Sequence, residues 1–325
     1  MSLQTEGSDS SLSLWIDTAP GTSFPRLTSS LEADVAIIGG GITGITAAYL
    51  LARAGRSVVL VEKGRIAMSE TGHTTAHIVS ATDADYRELV RAHGEENARL
   101  DGEAIRASID LIEQLVRELA IDCGFRTVDG YLYAEKEQHR SYLERQREYL
   151  AKAGVETEWT DAVPLPFRTV GGLRFRGQRA FHPRLYLLAL ADAAVEAGAR
   201  FFEESMVTEV ENEKETRTVR AENGSVTADH VILATHVPLN DRGGLWAKMT
   251  VTRTYVVAAP IDAGKVPDAL FWDTEYPYHY TRIAEAEGKT LLIVGGEDRG
   301  VGKPENDEER YRALEQYCRA RYGVT

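Results

Sequence analysis

The stretch that decides the fold is Asp34-Val-Ala-Ile-Ile-Gly-Gly-Gly-Ile-Thr-Gly44, read with the residues that follow it up to position 62. The apolar run Val35-Ala-Ile-Ile38 after Asp34 predicts a fully buried strand at 34–38. A helix is predicted at 42–54 and a second buried strand at 57–62. Such a strand–turn–helix–strand unit brings its two strands side by side and parallel, so the sequence predicts a Rossmann-like α/β domain.

The glycines of this stretch match the pattern G-x-G-x-x-G in the context that gives the pattern meaning. Gly39 permits the tight turn, and Gly44 lets the helix lie close to the strand. Gly41 has no side chain, so a pyrophosphate can approach the helix N-terminus and the N–H groups of Ile42 and Thr43. The alternative is a bare strand–helix turn whose glycines are incidental.

An acidic residue ends the second strand of the unit. Glu62 lies 21 residues beyond Gly41, where a carboxylate can accept hydrogen bonds from both hydroxyls of an adenosine ribose. A carboxylate there disfavours a 2′-phosphate, and therefore NADP. The adjacent Lys63 belongs to the same set of candidate binding residues.

Motif geometry alone leaves both FAD and NAD open, but two further segments favour FAD. The small, polar loop Ser69-Glu-Thr-Gly-His-Thr-Thr-Ala76 follows the acidic residue, and could supply the N–H groups and small side chains that a bulky isoalloxazine needs. The segment His230-Val-Ile-Leu-Ala-Thr-His236 predicts a strand that ends in small residues at the nucleotide crevice. Each segment taken singly is equally compatible with an ordinary loop or core strand.

Length and composition exclude several classes of protein. The chain has 325 residues, which predicts two domains, and 43% hydrophobic with 27% charged residues is an ordinary globular balance. Its 37 Lys+Arg against 50 Asp+Glu give a net charge of −13, which disfavours nucleic acid as a partner. Two cysteines, Cys123 and Cys318, cannot form a disulfide framework or a four-cysteine metal site, and the cytoplasm fits.

No membrane segment is expected. The first thirteen residues are polar and acidic, unlike a signal peptide. Val35 to Ala52 is uncharged and long enough to span a bilayer, but it holds four glycines. A strand, a turn and a buried helix explain it better.

The remaining chain predicts helices at 85–119, 139–153, 183–197 and 305–322, and strands at 130–135, 200–202, 207–210, 216–221, 230–234, 250–261 and 290–294. Short antiparallel strands are expected over 170–181. The predicted division is an N-terminal extension (1–33) anchored by Trp15 and Phe24, a discontinuous FAD-binding domain (34–85 and 177–245), a substrate domain (86–176 and 246–296), and a C-terminal helical segment (297–325) returning to the FAD-binding domain.

Together these pieces resemble the FAD-dependent oxidoreductases of the D-amino-acid oxidase superfamily, which includes glycine and sarcosine oxidases. The glycine motif with Glu62 is shared by many flavoproteins, whereas the loop Thr71-Gly-His-Thr-Thr-Ala76 is more particular. With Ser13-Leu-Trp-Ile-Asp-Thr18 and Phe24-Pro25, the loop resembles a bacterial subgroup in which many members carry a C-terminal Rieske iron–sulfur domain.

The resemblance implies a flavin-binding α/β domain and a second domain whose antiparallel sheet roofs the flavin and holds the substrate. It implies that the backbone of Val207 reads the adenine and that Ala234-Thr235 passes near the pyrophosphate, although His236 stands where glycine is common. It also places the flavin ring beside the loop residues Thr71, Gly72, His73, Thr74, Thr75 and Ala76.

The sequence departs from the resemblance in two respects. No Cys-x-His…Cys-x-x-His pattern is present, so no Rieske cluster is expected on this chain. The chain also stops at Thr325, before the strand, turn and helix that close the family's flavin domain, which predicts weak FAD retention and self-association. The late cluster Gly295-Gly296 and Gly300-x-Gly302 leads to Lys303-Pro304, and is not expected to be a second dinucleotide motif.

For catalysis, the segment Tyr278-His-Tyr-Thr-Arg282 supplies the candidates. Strand alternation places Tyr278, Tyr280 and Arg282 on one face. Arg282 could clamp a substrate carboxylate in a bidentate pair, with Tyr280 donating a hydrogen bond beside it. The alternative is a solvated strand face.

His73 has three interpretations: a hydrogen-bond donor near the flavin ring, a covalent attachment point for the flavin, or a structural residue. His77, His182 and His236 are expected to be structural, and the scatter of the histidines indicates no metal site.

The resulting hypothesis is an FAD-dependent oxidoreductase that oxidises the C–N bond of an amine or amino acid by hydride transfer to flavin N5. The electron acceptor is left open between oxygen, a quinone and a Rieske partner. An NAD-dependent dehydrogenase and a non-catalytic flavoprotein fragment or subunit that needs a partner remain alternatives.

Overall fold

The computed structural model describes residues 12–82, 84–212, 215–237, 239, 244, 249–300 and 306–324. In chain order the helices and strands are α1 (Leu14–Asp17), β1 (Ser30–Ile38), α2 (Ile42–Arg53), β2 (Val58–Val61), β3 (His77–Ile78), α3 (Tyr86–Glu118), β4 (Arg126–Ala134), α4 (Arg140–Lys152), β5 (Glu158–Thr160), β6 (Gly171–Ala180), α5 (Pro183–Glu196), β7 (Arg200–Phe202), β8 (Val207–Asn212), β9 (Arg217–Ala221), β10 (Ser225–Leu233), β11 (Thr252–Pro260), β12 (Ala269–Asp273), β13 (His279–Ala286), β14 (Lys289–Gly300) and α6 (Asp307–Tyr322).

The first sheet has the strand order β7-β2-β1-β10-β9-β8. Strands β7, β2, β1 and β10 are parallel, and β9 and β8 continue the sheet in antiparallel fashion. All four residues of β2 are buried, as are the last four of β1, which is typical of parallel strands covered on both faces. Helices α2 and α5 pack against each other in the core beside these strands. The α/β fold class predicted from the glycine-rich stretch is confirmed.

The second sheet has the order β11-β14-β13-β12-β4-β6-β3, with β5 paired to β6. Its pairings are antiparallel except that of β4 with β12. Ala284 and Ile293 on one face pack in the same core as α2 and α5. This face of the second sheet is therefore turned toward the first domain, and a single core joins the two.

Helix α6 is placed differently from the prediction, which returned residues 297–325 to the FAD-binding domain. Leu314, Cys318 and Tyr322 on α6 pack against β11 and β14 on the outer face of the second sheet. Tyr322 donates its hydroxyl to Thr281 Oγ1 at 3.2 Å. The apolar stripe of α6 was readable from the sequence, but a stripe does not specify which sheet it covers.

Other differences concern strands and breaks. Within residues 170–181, β6 is one ten-residue strand instead of several short ones. The whole strand lies in the second sheet, although residues 177–180 were predicted to belong to the FAD-binding domain. Strand β12 was not predicted. The helix predicted at 85–119 is interrupted at Gly94, whose φ of +83° is outside the helical region. Part of the late glycine cluster, residues 301–305, lies outside the described residues, and Gly295 and Gly296 lie within β14.

Among the described residues, none of the helices combines the length and apolar character needed to cross a bilayer. Over the same part of the chain, no three His, Cys, Asp or Glu side chains are grouped so that they could hold a metal ion.

Candidate functional site

The glycine turn lies where β1 ends and α2 begins, and two of its glycines are required by the fold itself. Gly39 has φ +110°, and a Cβ there would lie 2.4 Å from the carbonyl oxygen of Ala234. A Cβ on Gly44 would lie 1.9 Å from the carbonyl oxygen of Gly39. Neither position tolerates a side chain, because backbone atoms of β1, α2 and the end of β10 meet there.

Gly41 is different, because little inside the protein requires a glycine there. Its φ of −88° suits any residue, and a Cβ would meet only Thr71 Oγ1, at 3.4 Å. No side chain caps α2 through Gly41, and the N–H of Ile42 points to Thr71 Oγ1 at 3.3 Å. The space in front of this helix N-terminus therefore fits an anionic group.

Glu62 lies beside this turn and is buried. Its Oε2 accepts from the N–H of Gly40 at 2.7 Å and its Oε1 accepts from the N–H of Gly64 at 2.9 Å. Each carboxylate oxygen has a further lone pair, so ribose hydroxyls can still be accepted. The N–H of Ser205 donates to the Glu62 carbonyl at 2.9 Å, which places Val207, two residues on, at the same edge. Lys63 is exposed.

The loop after β2 is tied under the glycine turn. The N–H of Ala67 donates to the Gly40 carbonyl at 2.9 Å, and a Cβ on Gly72 would lie 2.6 Å from the Ala67 carbonyl oxygen. Residues Glu70–His73 form one 3₁₀ turn. The His73 ring is exposed, with Nδ1 2.9 Å from the carbonyl oxygen of Ser69. An exposed ring is compatible with all three interpretations of His73, which stay predictions.

Residues 234–236 lie against the glycine turn, as the resemblance implied for a segment near the pyrophosphate. The N–H of Ala234 donates to the carbonyl of Ile38 at 2.8 Å, and Thr235 Oγ1 donates to the carbonyl of Val237 at 2.7 Å. His236 has φ +62°, the left-handed conformation that glycine adopts most easily. The resemblance predicts glycine at this position, and the backbone at His236 takes a shape that glycine adopts easily.

Tyr280 and Arg282 share the face of β13 that is turned toward the first domain, as alternation predicted. The rings of Tyr278 and Tyr280 are 5.7 Å apart, and Tyr280 also meets the ring of His77 edge-on at 5.7 Å. A Cβ on Gly295 would lie 2.2 Å from the Tyr280 ring. Glycine at 295 therefore makes the space that the Tyr280 ring occupies.

Arg282 is not on a solvated face, since only 1% of the residue is exposed. Its Nη1 donates to the carbonyls of Ala76 at 2.8 Å, Thr75 at 3.1 Å and Phe181 at 3.4 Å, and its Nε donates to the carbonyl of Ile283 at 3.2 Å. Burial lowers the pKa of the guanidinium to about 9. To clamp a substrate carboxylate, Arg282 would have to exchange these carbonyls for the substrate.

The sequence predicts a structural role for His77, but the structure shows that one of its ring nitrogens is left without a partner. Its Nδ1 is 3.1 Å from Thr75 Oγ1, while its Nε2 is buried without a hydrogen-bond partner. Burial, reinforced by the charge of Arg282, lowers the pKa of His77 to about 3, so the ring is neutral. An unpartnered polar nitrogen next to Tyr280 is a feature that a bound polar ligand would satisfy. The position of His77 directly after the loop was the sequence feature that could have indicated a place in the site.

Glu203 was also missed. It ends β7 as Glu62 ends β2, and its buried carboxylate accepts from the Thr22 hydroxyl, from the N–H of Ile66 at 2.8 Å and from the N–H of Phe24 at 3.1 Å. It fastens the N-terminal segment to the first domain. The structure confirms Trp15 and Phe24 as anchors of that segment, since Trp15 is in the core and Phe24 packs against it.

A family model that describes FAD-dependent oxidoreductases, the DAO family, matches residues 34–324. The chain belongs to this family. FAD is the cofactor of the family, which sets aside the nicotinamide alternative.

Curated relatives agree with this assignment. The chain is 32% identical over 311 residues to YhfW of Bacillus subtilis (strain 168), whose name marks it as a Rieske 2Fe-2S iron–sulfur protein. It is 30% identical over 226 residues to gamma-glutamylputrescine oxidoreductase of Escherichia coli (strain K12). These matches cover 95% and 67% of this chain, but only 61% and 52% of the two relatives.

Solved structures show the same fold. Glycine oxidase from Geobacillus kaustophilus has a TM-score of 0.66 at 19% identity, over 89% of this chain and 78% of that one. L-proline dehydrogenase from P. horikoshii has a TM-score of 0.70 at 19% identity, over 92% and 78% of the two chains. The predicted family, fold class and cofactor are therefore confirmed.

Proposed function

We propose that this chain holds FAD across the glycine turn and oxidises the C–N bond of an amine or amino acid. The observation that carries the proposal is Gly41, whose missing side chain leaves open the N-terminus of α2. When bound, FAD supplies the acceptor for a hydride from the carbon that bears the nitrogen. The chain's own residues have to bind, orient and shield the reactants.

On the nucleotide side, the proposed contacts follow the elements already described. The N–H groups of Ile42 and Thr43 and the hydroxyl of Thr71 hold the pyrophosphate, together with the backbone of Ala234 and Thr235. Glu62 accepts the ribose hydroxyls. Lys63 and the backbone of Val207 line the adenosine end, and the loop residues Gly72, His73, Thr74, Thr75 and Ala76 lie along the flavin ring.

On the substrate side, the proposed residues are on β3 and β13, where the rings of His77 and Tyr280 are in contact. Tyr280 donates its hydroxyl to the substrate, and Arg282 supplies positive charge for a substrate carboxylate. Burial and the charge of Arg282 keep His77 neutral, so its ring is not a second cation for the substrate carboxylate. Binding the carboxylate requires Arg282 to exchange carbonyls of the loop for the substrate.

The partner that accepts electrons is not specified by these residues. Relatives of the chain include proteins named as a glycine oxidase and as D-amino acid dehydrogenases. Reoxidation of the reduced protein by oxygen, by a quinone analogue or by a Rieske protein distinguishes the three.

A non-catalytic subunit that needs a partner is the alternative function. Anaerobic mixing with a panel of amines and amino acids separates the two. Bleaching of the flavin absorption by one class of substrate is expected for the enzyme. Flavin that stays oxidised with every substrate, and bleaches only after a partner is added, would favour the subunit.

The binding site is tested with Gly41→Ala. Because the added methyl meets only Thr71 inside the protein, the apoprotein should melt near the wild-type temperature. It should bind FAD tenfold more weakly or worse, which corresponds to about 1.4 kcal/mol. Gly44→Ala is the contrasting variant, and should unfold at a lower temperature because its methyl overlaps the Gly39 carbonyl. Equal FAD affinity for wild type and Gly41→Ala would refute the site.

A further inference from the structure

Residues 12–29, here called the N-terminal strap, run along the first domain and reach the loop proposed to lie on the flavin. The strap is fastened at several points. The carbonyl of Ala19 accepts from Arg184 Nη1 at 2.9 Å, Thr18 Oγ1 lies 3.0 Å from His182 Nε2, and the N–H of Leu27 donates to Ser205 Oγ at 2.9 Å. The strap is thus part of the folded domain over its whole described length.

Trp15 is the point where the strap meets both domains. The residue is 4% exposed. Its ring meets the ring of His182 edge-on at 4.9 Å, and the guanidinium of Arg282 lies 5.5 Å from the ring centroid. His182 begins α5 beside the first sheet, whereas Arg282 comes from the second sheet. The indole therefore lies between an element of each domain.

From that position Trp15 holds the loop directly. Its Nε1 donates to the carbonyl of Thr74 at 2.6 Å. Two residues earlier in the strap, the Ser13 hydroxyl donates to the carbonyl of Gly72. Arg282 takes the carbonyls of Thr75 and Ala76. Donors from outside the loop thus bind four of its carbonyls.

A hydrogen bond that orients the carbonyl of one residue also orients the N–H of the next residue. In a planar trans peptide, the C=O of one residue and the N–H of the next point in opposite directions. Because the Thr74 carbonyl is turned toward Trp15, the N–H of Thr75 points away from the strap. Because the Gly72 carbonyl is turned toward Ser13, the N–H of His73 also points away from the strap. The strap therefore decides which way these amides face.

We infer that Trp15 is a positioning residue for the cofactor: its indole N–H sets the 74–75 peptide so that the Thr75 N–H is presented to the flavin. The inference rests on the proposed function, and adds to it a residue outside the glycine motif. Trp15 itself touches the loop and not the reacting atoms. Its effect is transmitted through one hydrogen bond to one peptide.

The decisive variant is Trp15→Phe, which keeps an aromatic ring between His182 and Arg282 but cannot donate to Thr74. Trp159→Phe is the matched control, since the Trp159 Nε1 donates at 2.9 Å to Asp161 on the second domain. Ser13→Ala removes the neighbouring bond to Gly72 with a smaller loss of packing. It keeps the inference testable if Trp15→Phe folds poorly.

Two measurements are made on each protein: amide hydrogen exchange across residues 71–77 of the apoprotein, and FAD titration with the visible spectrum of the bound flavin. For Trp15→Phe we expect faster exchange of the loop amides and FAD affinity about three- to tenfold weaker, the size of one lost neutral hydrogen bond. The flavin band should shift as well. Ser13→Ala should change in the same direction, and Trp159→Phe should match wild type.

The outcomes separate the two proposals. Unchanged loop exchange in Trp15→Phe and Ser13→Ala, or faster exchange with wild-type FAD affinity and spectrum, would overturn this inference alone. A wild-type chain that takes up no FAD would overturn the proposed function and this inference with it.

Discussion

Nη1 of Arg282 on β13 lies 2.8 Å from the carbonyl oxygen of Ala76, a residue 206 positions earlier in the chain. The bond joins the second sheet to the loop that leaves the first one. It is charge-assisted and buried, so neither group can return to water without local opening. The relative position of the two domains and the shape of the loop are thereby linked.

We expect Arg282→Lys to weaken both folding and cofactor binding. An ammonium keeps the charge but cannot reach both the Ala76 and Ile283 carbonyls, so buried acceptors are left unpaired. The free energy of unfolding should fall by about 1–3 kcal/mol in urea titrations, and FAD affinity should fall with it. Arg220→Lys is the control, because Arg220 forms an exposed ion pair with Glu211. Its unfolding free energy and FAD affinity should change little. Intact stability and FAD affinity with impaired reduction by substrate would instead favour the carboxylate clamp.

Glu62→Ala tests the ribose contact. Loss of a hydrogen bond to a charged group costs about 1–3 kcal/mol, so FAD should bind roughly 5- to 150-fold more weakly in isothermal titrations. Glu204→Ala removes a nearby exposed carboxylate that pairs with Arg26, and should leave FAD affinity unchanged. If the two variants bind FAD alike, Glu62 does not hold the ribose.

Gly295→Ala tests how Tyr280 is placed. The added methyl would overlap the Tyr280 ring, and overpacking of this kind costs about 1–3 kcal/mol. We expect a lower midpoint in urea and slower reduction of flavin by substrate. Gly300→Ala is the matched control in the same strand, where a Cβ meets nothing within 4 Å. Equal behaviour of the two variants would show that Tyr280 moves aside at no cost.

Stability should fall as the pH drops below about 6.5, because of His182. Its Nδ1 accepts from the N–H of Leu185 at 3.2 Å, and burial lowers its pKa to about 4. Between the ordinary histidine pKa and the lowered one, the unfolded chain binds a proton that the folded chain refuses, so acid favours unfolding. His182→Asn keeps a good helix cap without titrating, and should show a flatter dependence of unfolding free energy on pH between 6.5 and 4. Identical slopes would contradict this.

The first domain was largely predictable because its signals are local. The turn from Gly39 to Gly44 dictates a strand, a helix and a returning strand within thirty residues, and Glu62 follows from the same unit. The packing of α6 was not predictable, since Leu314, Cys318 and Tyr322 give an apolar stripe that either sheet could cover. Strand β12 pairs in parallel with a strand far back in the chain, and its five residues carry no local sign of that partner.

Side-chain contacts to backbone carbonyls were the hardest to foresee. Trp15 could be recognised as an anchor because a large aromatic residue in a polar segment has to be buried somewhere. Its acceptor could not be recognised, because every residue of the chain has a carbonyl group. The same holds for Arg282, whose charge suggested a carboxylate partner, whereas the structure gives it the carbonyls of the loop.

The order of strands along the chain has a consequence for synthesis on the ribosome. All six strands of the first sheet lie between Ser30 and Leu233, whereas β11 to β14 of the second sheet follow only from Thr252 to Gly300. Domains tend to fold as their chain emerges, so the glycine turn and Glu62 can be in place while Arg282 is still untranslated. Residues 75–76 of the loop receive their hydrogen bonds from Arg282 only after β13 has been synthesised. The loop proposed to lie on the flavin therefore reaches its final structure late in folding.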